Sequence, residues 1–487
     1  MRRKGDNTLV IIVDQWPAWA FSYRGSFVST PTLDSLAERG TVFVNAFTTA
    51  PLCSPARGSL LTGKWPCEHG VRDNVGVGYS VQQPLAQDEE TWIERAARNG
   101  FHVGYFGKWH LGRDGPIIRG AHRHSSSFDA HAKVYDPAHS DYSYRRQALR
   151  YQEHKKNLKQ GRPPFWGINP GTKEQMPPFK LAREAADFLR EYRASFADVP
   201  FFLTVSFAGP HFPHYLPEEY ATRADAVDVH VPENIADDFY GKPWFHPVPW
   251  WPSMDTKDIN EEEWRKIVAF SSLHISAVDE AIGLLLSALE ELGLGRCTRI
   301  VFVSDHGDMC GNHNRFDKGP YFYEEVWRIP LIVCVPGARG QERKEFVSLV
   351  DVGKMLLQWA GGDGEKTPTP RNLMDLVIGG ESGEKIWPQE VFGMYDYYNG
   401  MSFAIRAIRT ERYKYVWNPQ AVDELYDLLR DPAELTNISG RPELAEVESA
   451  LRRRLAAWME ELGDDLPERA GTLPPAGTIV ATNRPGP

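Results

Sequence analysis

Six short apolar runs recur along the first three-quarters of the chain. The clearest is Thr8-Leu9-Val10-Ile11-Ile12-Val13-Asp14, largely β-branched and without polar alternation. That is the pattern of a strand covered on both faces of a sheet. Residues 41–44, 101–106, 201–207, 299–304 and 329–335 repeat it. Between them the period becomes helical. Residues 30–40 begin with Thr30 and Pro31 and stop at Gly40, 90–99 are closed by Gly100, and 180–192 and 261–292 continue the pattern. Residues 52–63 read as a further helix. Pro55 suits its first turn, which places Cys53 at the N-terminus among free backbone N–H groups. Arg57, four residues on, shares a face with Cys53.

After Gly361 the pattern changes. Residues 401–417 alternate and are rich in Tyr and Arg, as in a half-exposed antiparallel sheet, and 442–463 form a charged amphipathic helix. The chain therefore predicts an α/β fold with a large mixed, mostly parallel sheet flanked by helices. A smaller C-terminal α+β domain containing an antiparallel sheet follows it. The predicted division is residues 1–375 and 376–487, the second ending in an extended tail. Residues 113–178 read as a long insertion around a site. The aromatic, proline-dense segment 239–252 reads as a sugar-stacking wall or as a lid braced on the core.

Composition narrows the function. The 487 residues carry a formal net charge of −10 with no basic stripe, which argues against nucleic acid as a partner. No run approaches the ~20 apolar residues that span a bilayer, so no membrane is expected. The basic N-terminus precedes an apolar run too short for a signal-peptide core. The chain as given reads as cytoplasmic, with a periplasmic or secreted form after removal of a leader left open. Five cysteines, an odd number without a CxxC pair, predict no disulfide framework. Cys310-x-x-His313 has a metal-like spacing but no second pair, and reads as structural.

Four runs end in polar residues: Asp14-Gln15, Lys108 with His110, His211, and Asp305-His306. In open α/β sheets the site lies beyond the carboxyl ends of the strands, so these endings converge. Asp14, Gln15 and Asp305 offer oxygen ligands for Ca²⁺ or Mg²⁺, and the nitrogen of His306 leaves Mn²⁺ or Zn²⁺ open. Arg57, Lys108, His110, His211 and Lys318 offer positive charge and titratable protons. A divalent metal with such a ring suits transfer of a sulfuryl or phosphoryl group.

The ordered motifs carry a resemblance. Cys53-Ser54-Pro55-Ala56-Arg57 followed by Gly58-Ser59-Leu60-Leu61-Thr62-Gly63 resembles the signature of the type I sulfatases of the alkaline-phosphatase-like superfamily. Asp14-Gln15, Gly107-Lys108-Trp109-His110, Pro210-His211, Ser304-Asp305-His306-Gly307 and Asp317-Lys318-Gly319 resemble that family's other site elements. Asp423-Glu424-Leu425-Tyr426-Asp427-Leu428 resembles its C-terminal segment. Gln15 stands where many members have Asp, and His306 where many have Asn. Some branches share both, including phosphonate monoester hydrolases and choline-sulfatase-like enzymes.

The resemblance implies a metal, most expectedly Ca²⁺ with Mg²⁺ or Mn²⁺ open, held by Asp14, Gln15, Cys53, Asp305 and His306. It implies that a maturation enzyme converts Cys53 to Cα-formylglycine, whose hydrate attacks sulfur while Arg57 holds it. Lys108 and Lys318 would bind the sulfate, His211 with Lys318 would protonate the leaving alcohol, and His110 would take the proton that restores the aldehyde. The expected substrate is a sulfated small molecule, foremost a carbohydrate sulfate. A phosphonate monoester or phosphodiester hydrolase is the alternative, and a non-catalytic binding protein with unmodified Cys53 a third reading.

Overall fold

The computed structural model describes residues 6–77, 80–81, 83–112, 115–124, 165–169, 171–249, 256–361, 372–378 and 387–466. Most of the insertion at 113–178, the end of the aromatic segment at 250–252 and the tail beyond 466 lie outside the described residues.

In chain order the first strands are β1 (Asn7–Asp14), β2 (Thr41–Phe47), β3 (His102–Gly107), β4 (Arg123–His124), β5 (Trp166–Asn169), β6 (Phe201–Pro210) and β7 (His214–Pro217). Then follow β8 (Thr298–Ser304), β9 (Arg328–Ile329), β10 (Leu331–Cys334) and β11 (Gln341–Ser348). The main sheet has nine strands, ordered β11-β2-β10-β8-β1-β6-β3-β4, with β9 on β2, while β5 and β7 pair apart. β1 lies at its centre, parallel to both β6 and β8.

Both faces of β1 are covered, which explains its unbroken apolar run. Leu9, Ile11 and Val13 pack with residues of α4 (Pro177–Ser195) and α5 (Glu261–Glu291), with α1 (Pro31–Arg39) beside them, counting helices in chain order. Val10 and Ile12 face the other way, toward α2 (Cys53–Thr62), α3 (Trp92–Arg98) and α6 (Leu349–Gly361). Adjacent strand residues point to opposite faces, so each face takes every second side chain. The 31-residue α5 is the one described helix long and apolar enough to cross a membrane, but it is core: Ile267, Ala277, Val278, Ala281, Ile282 and Leu285 are fully buried.

Two predicted elements differ in detail. Residues 329–335 form two strands rather than one, split at Pro330, which has no N–H for a ladder; β10 runs antiparallel to β8. The predicted strand at 41–44 extends to Phe47 and gains a parallel edge partner in β11.

The C-terminal part forms a separate antiparallel sheet of β12 (Glu390–Tyr398), β13 (Met401–Thr410), β14 (Tyr413–Trp417) and β15 (Glu424–Asp427). Helix α7 (Ala445–Leu462) buries Leu451, Leu455 and Trp458 against Phe392, Ile408, Tyr415 and Trp417 on one face. The sheet is joined to the nucleophile side of the molecule: Met394 N donates to Thr49 O at 2.9 Å, four residues before Cys53.

Candidate active site

The parallel register sets the site. β1, β3, β6 and β8 all end at the same edge of the sheet, and the residues just beyond them converge there. Asp14, Lys108, Asp305 and His306 are fully buried, and His211 is half-buried at the mouth. Cys53 opens α2 at the helix N-terminus, where Leu52 is extended. The helix dipole and free N–H groups favour negative charge at that point.

Cys53 Sγ lies 3.1 Å from His306 Nε2 and 3.7 Å from Asp14 Oδ1. Burial alone would push the thiol up, but Lys108, Lys318, His306 and a hydrogen bond with His110 outweigh it and hold the thiol well below its usual range. Lys108 Nζ donates to Asp14 Oδ2 at 2.5 Å. Arg57 Nε donates to Asp305 Oδ2 at 2.8 Å, and Nη1 to Ser206 Oγ at 2.8 Å and Lys108 O at 3.1 Å. Asp305 also receives the backbone N–H groups of Gln15 at 3.1 Å and His306 at 2.9 Å.

On the other side, Lys318 Nζ donates to Asp317 Oδ1 at 2.8 Å and to Gln15 Oε1 at 2.9 Å, and meets His211 Nε2 at 3.1 Å. His211 Nδ1 lies 2.7 Å from Phe212 O, so Nδ1 carries the proton and Nε2 accepts from the ammonium. Burial lowers the Lys318 ammonium, but Asp317, Cys53 and Asp14 raise it well above the usual lysine range. His110 has a positive φ of 61°, and Ser54 Oγ holds its carbonyl at 2.6 Å.

The residues fit a divalent cation. One ligand atom each from Asp14, Cys53, Asp305 and His306 lies within 4.8 Å of the others, all buried. His306 Nδ1 donates to Gly307 O at 2.8 Å, which aims Nε2 at the carboxylates, where it would give its lone pair to a bound cation. Asp305 is raised first by burial and then by the charge of Asp14, a like-charge pair that a cation relieves. The Gln15 amide bridges Lys318 and Asp308, and its backbone N–H reaches Asp305. Asp308 is a site residue that sequence reasoning passed over, although it follows Asp305-His306-Gly307 directly; burial and Asp317 push it to about 7.

Residues 6–362 match the Sulfatase family, nearly three-quarters of the chain. The chain belongs to the sulfatase family. Residues 311–461 match the family described as N-sulphoglucosamine sulphohydrolase, C-terminal. An ulvan-active sulfatase of Formosa agariphila is 29% identical over 98% of this chain and 86% of the relative. The structure of BT4656 in complex with its substrate D-glucosamine-2-N,6-O-disulfate superposes with a TM-score of 0.74 at 20% identity, over 96% of this chain and 100% of that one. The phosphonate monoester hydrolase SpPMH of Silicibacter pomeroyi has a TM-score of 0.77 at 20% identity, over 97% and 100%. At such identities the two structures establish the shared fold. The protein is a sulfuric ester hydrolase of the type I sulfatase, alkaline-phosphatase-like class.

Proposed function

We propose that the enzyme hydrolyses a carbohydrate sulfate ester to an alcohol and inorganic sulfate, using Cys53 after its conversion to Cα-formylglycine by a maturation enzyme. The observation that carries this reading is the position of Cys53. It lies at a helix N-terminus against His306 Nε2 and Asp14, with the Arg57 fork behind it. Cations and prospective metal ligands around residue 53 would hold and ionise a hydrated aldehyde there.

Asp14, Cys53, Asp305 and His306 would hold the metal, with Gln15 beside them; Ca²⁺ is the ion expected. When bound, it supplies positive charge that lowers the pKa of a hydroxyl at residue 53 and offsets sulfate charge. Lys108 and Lys318 bind the sulfate oxygens, and Arg57 orients the hydrated side chain of residue 53. That side chain forms a bond to sulfur as the ester S–O bond breaks. The proton for the departing alcohol oxygen comes from the Lys318–His211 pair, whose Nζ and Nε2 lie 3.1 Å apart. His110 then takes the proton of the second hydroxyl, so that sulfate leaves with cleavage of the C–O bond and the aldehyde returns. Each well-placed proton transfer contributes about 10²–10⁴-fold.

The saccharide assignment is supported by the ulvan-active relative and by the N-sulphoglucosamine sulphohydrolase match at the C-terminus. Mass analysis of the tryptic peptide holding residue 53, from protein made with the maturation enzyme, is expected to show the aldehyde or its hydrate. Cys53→Ala is expected to abolish turnover of sulfated monosaccharides, and a variant as active as wild type would overturn the mechanism. Phosphonate monoester hydrolysis by the same residues is the second reading, favoured by Gln15 and His306 together; a kcat/KM ratio strongly favouring an aryl phosphonate over the aryl sulfate would select it.

A further inference from the structure

Three groups hold Lys318 at once. Its ammonium donates to Asp317 Oδ1 at 2.8 Å and to Gln15 Oε1 at 2.9 Å, and meets His211 Nε2 at 3.1 Å. A lysine ammonium has three N–H groups and no acceptor. All three are therefore directed, and the end of the Gln15 amide that faces Lys318 has to be its oxygen. The aim of the ammonium at His211 depends on which way round that amide sits.

An amide turned over fills the same space with its donor and acceptor exchanged. The group at the far end of Gln15 decides between the two. Gln15 Nε2 donates to Asp308 Oδ2, while Asp308 Oδ1 accepts from Cys310 N at 2.7 Å. A carboxylate offers acceptors on both oxygens, so it serves both neighbours only with the Gln15 NH₂ turned toward it. Gln15, Asp308 and Lys318 are 1%, 3% and 4% exposed, so a partner lost here is not replaced from bulk water.

The backbone on either side holds Asp308 in place. A Cβ on Gly307 would sit 1.9 Å from Glu325 O, and Gly307 N donates to Val326 O at 3.0 Å. Met309 N donates to Asp317 O at 2.9 Å, which ties the Asp308 turn to the residue before Lys318.

We infer that Asp308 is a positioning residue for protonation of the leaving group: its carboxylate sets the orientation of the Gln15 amide, which turns Oε1 to Lys318 and holds the ammonium against His211. The inference rests on the reading of Lys318 and His211 as the proton source. Asp308 acts on them through one amide.

Asp308→Asn breaks this set without changing its size. One end of the new amide is an NH₂. Facing Cys310 N, it brings two donors together. Facing Gln15, it does the same unless the Gln15 amide turns over, and a turned amide presents its NH₂ to Lys318. Adding Gln15→Glu repairs the set, because the side chain at position 15 then accepts from both sides.

The test compares wild type, Asp308→Asn, the double variant Gln15→Glu/Asp308→Asn and Lys318→Ala, all fully modified at residue 53, on 4-nitrophenyl sulfate and phenyl sulfate. Phenolate is the stronger base and needs the proton more. Asp308→Asn is expected to lower kcat/KM on phenyl sulfate by about 10–10²-fold, the scale of one hydrogen bond to a charged group, and on 4-nitrophenyl sulfate by clearly less. The double variant is expected to recover most of that loss. The urea midpoint of unmodified, cation-free Asp308→Asn is expected to fall as well, since buried donors then meet. Equal losses on the two esters, no recovery in the double variant or an unchanged midpoint would overturn this inference alone. Lys318→Ala is expected to lose more on phenyl sulfate than on the nitrophenyl ester; equal losses there would overturn the proton-source reading and this inference with it.

Discussion

Arg57 donates from Nε to Asp305 Oδ2 across 2.8 Å, with both side chains wholly buried. The same guanidinium reaches Ser206 Oγ and Lys108 O, and its Nη2 lies 3.9 Å from Asp14 Oδ1. One planar fork therefore ties together residues in or just beyond four neighbouring strands, β1, β3, β6 and β8, beside the nucleophile. A lysine keeps the charge but not the fork. Arg57→Lys is expected to fold and to lose about 10²–10³ in kcat on an aryl sulfate, the scale of a lost preorganised donor. Arg57→Ala leaves Asp305 unpaired in the interior, which costs about 3–5 kcal/mol. Its denaturation midpoint is expected to fall as well. An Arg57→Lys enzyme with wild-type kcat would refute the role.

A cation bound by the pair Asp14 and Asp305 would couple stability to that ion. Exhaustive chelation is expected to abolish activity and lower the thermal midpoint, and Ca²⁺ to restore both. A ligand at a hundred times its dissociation constant adds about 2.7 kcal/mol. Asp305→Asn removes one anionic donor and is expected to blunt the thermal shift produced by added Ca²⁺. A chelated protein that kept full activity and its midpoint would mean that Lys108 and Arg57 neutralise the pair unaided.

Gly58, within the signature, is a packing requirement as well. A Cβ there would sit 2.5 Å from His69 Cε1 and 2.9 Å from both ring nitrogens. The ring cannot swing away freely, because Nε2 meets Ser59 Oγ at 3.2 Å and Nδ1 accepts from Val71 N at 3.2 Å. Alanine gains at most about 1 kcal/mol in helix propensity, against about 1–3 kcal/mol for overpacking. Gly58→Ala, measured as the unmodified protein, is expected to unfold at lower urea than wild type. An equal or higher midpoint would show that His69 relaxes.

The legible parts of the chain were those where one physical pressure acts alone. β1 sits between two covered faces, so its run has no polar interruption, and the abrupt Asp14-Gln15 marks the edge where the site begins. Lys108, His211 and Asp305 are conspicuous for the same reason. β11 was not visible because its first half, Gln341-Glu342-Arg343-Lys344-Glu345, is charged and half-exposed at the sheet edge. β12 was hidden among tyrosines and phenylalanines that read equally as packing. Asp73 gives no local signal: its partner Gly400 is distant in sequence, and only the folded chain brings them together. The aromatic segment divides by residue. Phe245 and His246 are buried in the core, whereas Tyr240 and Trp244 are 79% and 46% exposed.

Buried histidines give a prediction in pH. His274 is buried, and desolvation lowers it to about 4; His214 Nδ1 lies 3.2 Å from its Nδ1. In the unfolded chain a histidine titrates near 6.5. Because the folded value is depressed, this contribution to stability is complete above about 6.5 and is lost as pH falls toward 4. The loss is about 1.4 kcal/mol per pH unit in that window. Total stability does not report it cleanly, since Asp308 and Glu424, each raised to about 7, bind protons in the folded state and act in the opposite sense. The difference between wild type and His274→Gln reports this group together with its contact to His214, which His274 also lowers. His274→Gln is expected to be less stable than wild type at pH 7.5. The gap, read from urea unfolding, is expected to narrow by about 1.4 kcal/mol per pH unit below 6.5. A gap constant from pH 7.5 to 4.5 would mean that His274 titrates alike in both states and that the interior at this point is wetter than its burial indicates.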